Sequence, residues 1–179
     1  MIGGSDDQWI AMTVPGDTPA AAAPIEIYVD ADACPVKAEI YRVAERYGVA
    51  VHVVANAVLA VPAHPLFRRV VVGDGFDAVD DWIAARAGPG SVVVTADIQL
   101  AGRCLSAGAA AIGLNGRPFT SASIGMALAT RALMVDLRAM GETSGGPRPM
   151  TKRDRSAFLS ALDEAIVRLQ RARARAPIG

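Results

Sequence analysis

The stretch that decides the fold is I-E-I-Y-V-D-A-D-A-C-P, residues 25–35, an apolar strand-like run that ends in two carboxylates and then meets a proline. Side chains alternate faces along a strand, so an extended Asp30-Ala31-Asp32 would point both carboxylates the same way at the strand's end. That arrangement suits a divalent cation. The alternative is that one aspartate caps the following helix while the other is solvated. The stretch alone leaves both interpretations open.

Outward from this stretch, apolar runs alternate with segments of helical period. The predicted strands are 25–29, 49–54, 69–72, 91–95 and 109–114, and the predicted helices are 35–47, 76–87, 98–107, 121–140 and 151–173. Strands this apolar, separated by helices instead of tight hairpins, indicate a parallel sheet covered on both faces. The sequence therefore predicts an α/β fold.

A chain of 179 residues with 52% hydrophobic residues is long and apolar enough for one well-packed domain. We expect a disordered leader at 1–24, a single domain at 25–174 with a linker at 141–149, and a disordered tail at 175–179. No apolar run reaches the roughly 18 residues of a membrane-spanning helix, and the leader carries no Lys or Arg. These features predict a cytoplasmic protein. Met126, Met134 and Trp82 are expected in the core.

Acidic residues follow three of the predicted strands. Asp30 and Asp32 follow the first, Asp74 and Asp77 the third, and Asp97 the fourth. Ligands of parallel sheets bind beyond the carboxyl ends of the strands. The sequence therefore predicts a site at that edge.

Two of these groups could instead have a local structural role. Within a helix, Asp77, Asp80 and Asp81 would share one face, where a cation would relieve their repulsion; alternatively, they complement the helix dipole. Thr95 could orient a ligand or a bound water, or Thr95 or Asp97 could only cap the helix that begins near residue 98. Asn56, which leaves the second strand at the same edge, could reach substrate or metal-bound water.

The composition restricts the kind of metal. Two cysteines are too few for a disulfide framework or for a four-ligand zinc site of cysteines, and two histidines are too few for a His-rich metal site. Oxygen ligands favour Mg²⁺ or Mn²⁺. Such ions lower the pKa of an attacking water and neutralise phosphate, as phosphoryl transfer requires.

Charge is distributed unevenly along the chain. Residues 1–145 hold 10 basic and 15 acidic side chains, and residues 146–179 hold 8 and 3. Thr151 and Asp154 predict a capped helix start, and four cations flank it: Arg148, Lys152, Arg153 and Arg155. Cations at this end of a helix oppose its dipole, which favours an anion-binding role. The alternative is a solvated basic cap.

Four blocks carry a resemblance to a known family: V-D-A-D-A-C-P at 29–35, G-F-D-A-V-D-D at 75–81, V-T-A-D-I-Q-L-A at 94–101 and G-G-P-R-P-M-T-K-R-D-R-S-A-F at 145–158. Together they resemble the YaiI/YqxD family, which is grouped with the PIN-like fold of metal-dependent ribonucleases. The resemblance implies a three-layer α/β/α domain with a mainly parallel sheet. Asp30 then matches the first PIN aspartate, Asp97 the aspartate of the T-x-D block, and Asp77 or Asp80 the middle acid.

The chain departs from the PIN pattern at Gln99, where many of these nucleases have a further acid; Asp32 or Asp81 are candidates to replace it. We therefore predict a nuclease acting on RNA more readily than on single-stranded DNA. The predicted catalytic residues are Asp30, Asp77 and Asp97, and the predicted metal ligands are Asp30, Asp32, Asp77, Asp80, Asp81 and Asp97. The predicted substrate-binding residues are Asn56, Thr95, Arg148, Lys152, Arg153 and Arg155.

Two other functions compete with this one. A non-catalytic PIN-like module that binds nucleic acid or protein is favoured by Gln99. A haloacid-dehalogenase-type phosphatase is suggested by D-A-D-A-C and V-V-V-T. Such an enzyme needs a lysine and an acidic pair after the threonine motif, but Asp80-Asp81 precedes Thr95 and no lysine lies between Thr95 and Lys152. The sequence leaves the oligomeric state open, a homodimer included.

Overall fold

The computed structural model describes residues 23–32, 34–139 and 148–176. The predicted leader up to residue 22, the linker at 141–147 and the last three residues of the tail lie outside these ranges. Within them the strands are β1 (Glu26–Asp30), β2 (Ala50–Ala55), β3 (Phe67–Val71), β4 (Ser91–Val94) and β5 (Ala110–Ile112). The helices are α1 (Lys37–Tyr47), α2 (Ala78–Ala84), α3 (Ile98–Ser106), α4 (Ser121–Ala139) and α5 (Lys152–Arg175).

The five strands form one parallel sheet in the order β3-β2-β1-β4-β5. The chain starts in the middle of the sheet, builds outward to β3, and then crosses to the other side of β1 to add β4 and β5. A reversal of this kind opens a crevice at the carboxyl ends of the two strands where it occurs. Here those strands are β1 and β4, which places the crevice beside Asp30.

The sheet is covered on both faces, so the predicted three-layer α/β/α architecture is confirmed. Alternation along β1 sends Ile27 and Val29 into the core shared with α1 and α5, and Tyr28 into the core shared with α2 and α3. Asp30 follows the same alternation as Tyr28. Its place in the strand therefore points it towards α2 and α3.

Helix α5 is part of this domain. Phe158, Leu162 and Ile166 are fully buried and four residues apart, so they form one apolar stripe against the sheet. Arg46 of α1 donates to Asp163 Oδ1 at 2.8 Å. The helix ends at Arg175, one residue inside the predicted tail.

Helix α4 differs from the other helices because it carries exposed apolar side chains. Ile124 packs near Gly102 of α3, whereas Met126, Leu133 and Met134 are 74%, 57% and 42% exposed. The prediction that Met126 and Met134 are core residues is wrong, since α4 is apolar on more sides than the domain covers. Among the described residues, no helix is long and apolar enough to cross a membrane.

Candidate functional site

A hydrogen bond between the ends of β1 and β4 lies at the centre of the candidate site. Asp30, the last residue of β1, is half-buried. Thr95 directly follows β4 and is fully buried, and its Oγ1 donates to Asp30 Oδ2 at 2.9 Å. Since β1 and β4 are the strands between which the chain reverses, this bond spans the expected crevice. The carboxylate of Asp30 is thereby held in one orientation.

Asp97 is linked to the same threonine. Its backbone N–H donates to Thr95 Oγ1 at 2.9 Å. Its side-chain Oδ1 accepts from the backbone N–H groups of Gln99 at 2.7 Å and Leu100 at 3.0 Å, so Asp97 is the N-cap of α3. The capping role considered for Asp97 is thus confirmed, and Thr95 orients a carboxylate of the protein itself.

Asp80 of α2 has a strongly shifted pKa. Burial raises its pKa to about 6, and the charges of Asp97, Asp30 and Asp77 act in the same direction. Arg103 opposes the shift, but its guanidinium is engaged by Asp81 Oδ1 at 2.8 Å. Asp80 therefore lies in a negative potential that the neighbouring cation only partly offsets.

The pKa of Asp30 is raised as well, and again burial is the main cause. The hydrogen bond from Thr95 opposes this shift, while the charges of Asp32 and Asp97 add to it. Asp30, Asp80 and Asp97 thus influence one another electrostatically although they come from different elements. A cation placed beside them would favour the ionised forms of Asp30 and Asp80.

The carboxylates do not form a closed metal cage. Among the described residues, no three His, Cys, Asp or Glu side chains are grouped so that they could hold an ion on their own. Mg²⁺ needs few protein ligands, because it is commonly bound by one or two carboxylates and completes its shell with waters and substrate phosphates. The donor set of half-buried carboxylates fits an ion of that kind.

The remaining predicted acids lie further out. β1 ends at Asp30, and Asp32 is an exposed residue in a turn, so the extended Asp30-Ala31-Asp32 arrangement is wrong. The chain turns here because the N–H of Cys34 donates to the carbonyl of Ala31. Asp77 is exposed at the N-cap position of α2 and makes no capping bond with its side chain.

The predicted basic residues lie at the start of α5 and differ in how they are bound. Thr151 and Asp154 form the predicted capping box. Arg148 donates to Asp154 at 3.1 and 3.2 Å, and Arg155 donates to the carbonyl of Pro35 at 2.7 Å. Arg155 also pairs with Glu39 of α1 at 3.4 Å. Lys152 and Arg153 are exposed in the first turn of α5.

The side chains of Asn56 and Lys37 hold loops at this edge of the sheet. Asn56 Nδ2 donates to the carbonyl of Gly73 at 3.0 Å and so ties the end of β2 to the loop after β3. Lys37 Nζ donates to the carbonyl of Ala31 at 3.3 Å beside Asp30. No sequence pattern indicates the roles of Lys37 and Arg103, because their partners depend on how the chain folds around them.

The chain is similar in sequence to a family of proteins over most of its length. The model of the family described as "Uncharacterized BCR, YaiI/YqxD family" matches residues 28–168. The "UPF0178 protein" of Nitrobacter winogradskyi is 65% identical over 148 residues, which are 83% of this chain and 94% of the relative. The "UPF0178 protein" of Rhodopseudomonas palustris strain BisB5 is 61% identical over 155 residues, 87% of this chain and 94% of that protein.

No solved structure matches the chain significantly. The family match covers β1 to α5 and includes every carboxylate described above. The chain therefore belongs to the YaiI/YqxD family, and the resemblance of its four sequence blocks is confirmed.

Proposed function

We propose that this protein is a divalent-metal-dependent nuclease that hydrolyses phosphodiester bonds in RNA more readily than in single-stranded DNA, as the PIN-like resemblance implies. The observation that carries the proposal is the hydrogen bond from Thr95 to Asp30 across the ends of β1 and β4, with Asp97 and Asp80 beside it. Two neighbouring carboxylates of raised pKa, Asp30 and Asp80, at a sheet crevice are typical of a functional site. A cytoplasmic location is part of the same proposal.

Asp30, Asp80 and Asp97 are the residues that would hold Mg²⁺ or Mn²⁺, and the charge of the exposed Asp77 acts on Asp80. The bound ion would supply a water of lowered pKa and neutralise phosphate charge. Asp32 and Asp81 are less suited, because Asp32 is exposed in its turn and Asp81 is paired with Arg103.

The protein's own groups have separate tasks in this proposal. Thr95 fixes the direction of the Asp30 carboxylate. Because its pKa is raised to about 6, Asp80 binds a proton at mildly acidic pH when no cation is present, and a cation would displace that proton. Lys152 and Arg153, exposed at the start of α5, offer positive charge to a phosphate backbone. Arg148 and Arg155 are already paired with Asp154 and Glu39, so their main effect is to fix the start of α5.

The function is tested by incubating the purified full chain with labelled RNA, labelled single-stranded DNA and a generic phosphomonoester, with Mn²⁺, with Mg²⁺ and with a chelator. We expect RNA cleavage that requires metal and stops with chelator. Hydrolysis of the phosphomonoester alone would contradict the proposal and favour a phosphatase. Binding of RNA without cleavage would favour the non-catalytic module, for which Gln99 is the supporting residue.

Thr95→Val is expected to lower kcat for RNA by about 10–100-fold, the range seen when an outer-shell partner of a ligand is lost. The valine keeps the shape but loses the bond that lowers the pKa of Asp30. That pKa should rise further, so the acidic limb of the pH–rate profile should move to higher pH. Thr95→Ser keeps the hydroxyl and should retain most activity. An unshifted pH profile in Thr95→Val would contradict a positioning role.

Asp80→Asn is expected to stabilise the metal-free protein at pH 8. Because folding raises the pKa of Asp80, its contribution to stability is fully present below about pH 4 and is lost as pH rises through about 6. In a fully buried group, a pKa shift of this size would change the free energy of unfolding by about 3 kcal/mol. Solvent screening of this half-buried side chain reduces the change to about 1 kcal/mol.

Thermal melting measures the effect of Asp80→Asn. The melting temperature of the variant should exceed that of the wild type by about 2–4 °C at pH 8 and should match it near pH 4. Added Mn²⁺ should raise the melting temperature of the wild type more than that of the variant. A variant less stable than the wild type at pH 8 would show that Asp80 is satisfied by its surroundings.

A further inference from the structure

A cleft of about 490 Å³ opens after the ends of β4 and β5, where Ala96 is part of its lining. Ala96, which lies between Thr95 and Asp97, forms one wall, and Pro35 at the start of α1 forms another. Phe119, Asn115 and Arg148 also line it. Its volume falls within the range of about 300–1,000 Å³ that is usual for small-molecule sites. The cleft is therefore large enough to take part of a substrate whose reacting group lies at Asp30.

The segment of the lining that contains Phe119 is held by backbone hydrogen bonds. The N–H of Phe119 donates to the carbonyl of Ala111 at 2.8 Å, and Pro118 pairs with Ile112 of β5. In the preceding turn, Gly116 has φ +81°, and a Cβ there would come within 2.6 Å of the carbonyl oxygen of Ala157. The turn therefore packs against α5, and backbone hydrogen bonds hold the segment that contains Phe119.

Gly113 brings the two distinctive side chains of the cleft together. A Cβ on this glycine would lie 3.2 Å from Asn115 Oδ1 and 3.7 Å from Phe119 Cε2. Asn115 Oδ1 accepts from the N–H of Arg117 at 3.1 Å, which orients the amide. Its Nδ2 is then the atom that a ligand would accept from. The ring of Phe119 and the amide donor of Asn115 therefore lie near each other in the lining of the cleft.

From this arrangement we infer that the cleft binds the nucleobase of the nucleotide next to the scissile phosphate, an inference that rests on the proposed function. An unpaired base offers a flat face that stacks on an aromatic ring and an edge that hydrogen bonds to an amide. Arg148, whose side chain is 71% exposed at the rim, adds positive charge for the adjoining phosphate. A base inside a duplex could not enter, so the cleft selects single-stranded over duplex nucleic acid.

The inference is tested with mononucleotides and the metal-free full chain, so that binding is measured apart from cleavage. Ribonucleoside 5′-monophosphates of the four bases and ribose 5-phosphate are titrated and followed by amide NMR shifts. We expect at least one nucleotide to shift the amides of Gly113, Asn115 and Phe119, and ribose 5-phosphate to bind more weakly. Phe119→Ala should weaken nucleotide binding by about 5–150-fold, as loss of one base stack predicts.

Asn115→Ala provides a second variant, because Asn115 is exposed and its loss should leave the fold intact. Leu133→Ala, exposed on α4, is the matched control and should bind as the wild type does. Equal binding of ribose 5-phosphate and nucleotides, or no binding of any nucleotide, would overturn the inference. So would RNA cleavage by Phe119→Ala at the wild-type rate, a result that leaves the nuclease proposal standing. If the protein bound nucleotides but cleaved no RNA, base binding by the cleft would be supported and the nuclease proposal would be contradicted.

Discussion

Asp30→Asn should lower metal-dependent RNA cleavage by at least about 100-fold, the smallest loss expected when a group acting directly on the reaction is removed. Asp30 is the last residue of β1 and lies at the crevice. It accepts the hydrogen bond from Thr95, and the negative charge of Asp97 acts on it. Asparagine keeps the size and can still accept from Thr95, so the change removes charge with little change of shape. Initial rates on labelled RNA with saturating Mn²⁺ measure the effect.

Glu45→Gln is the matched control for this prediction. Glu45 is an exposed carboxylate of α1 and lies outside the crevice. The same loss of one negative charge there should change the rate by less than twofold. If Asp30→Asn cleaved RNA as fast as Glu45→Gln does, the catalytic site would have to lie elsewhere.

Phe158→Ala should lower the free energy of unfolding by about 3–5 kcal/mol, the usual cost of truncating a buried phenylalanine. Phe158 is fully buried between α5 and the sheet and is among the largest fully buried side chains of the described residues. The loss is a large share of the roughly 5–15 kcal/mol that stabilises a domain. Denaturant unfolding followed by circular dichroism measures it.

Ser160→Ala, on the exposed side of the same helix, should change the free energy of unfolding by less than about 0.5 kcal/mol. The comparison tests whether the basic C-terminal helix belongs to the domain. A loss below about 1 kcal/mol in Phe158→Ala would contradict the packing of α5 against the sheet.

Much of the fold could be predicted because its signals are local. Runs such as Val92 to Val94 are apolar throughout, which only a strand buried on both faces requires. The capping box of Thr151 and Asp154 was predicted from a spacing of three residues. Parallel strands share one carboxyl edge, so the position of Asp30 and Asp97 at that edge followed from the strand assignment.

The errors and omissions concern contacts between distant parts of the chain. Helical spacing does not reveal that Asp81 pairs with Arg103, or that Arg155 pairs with Glu39, which precedes it by 116 residues. Apolar residues in α4 were expected in the core because periodicity does not tell which face is covered. Asp32 was placed on an extended strand, but the turn after Ala31 depends on a backbone bond from Cys34 that the sequence does not encode visibly.

The central claim is that the carboxylates at the ends of β1 and β4 and on α2 bind a divalent cation. Titration of Mn²⁺ into the full chain, with free Mn²⁺ followed by electron paramagnetic resonance, tests it without any substrate. We predict saturable binding by the wild type and by Glu45→Gln, competition by Mg²⁺, and loss of that binding in the double variant Asp30→Asn with Asp80→Asn. Equal Mn²⁺ binding by the wild type and the double variant, or no binding by either, would contradict a metal site at these carboxylates.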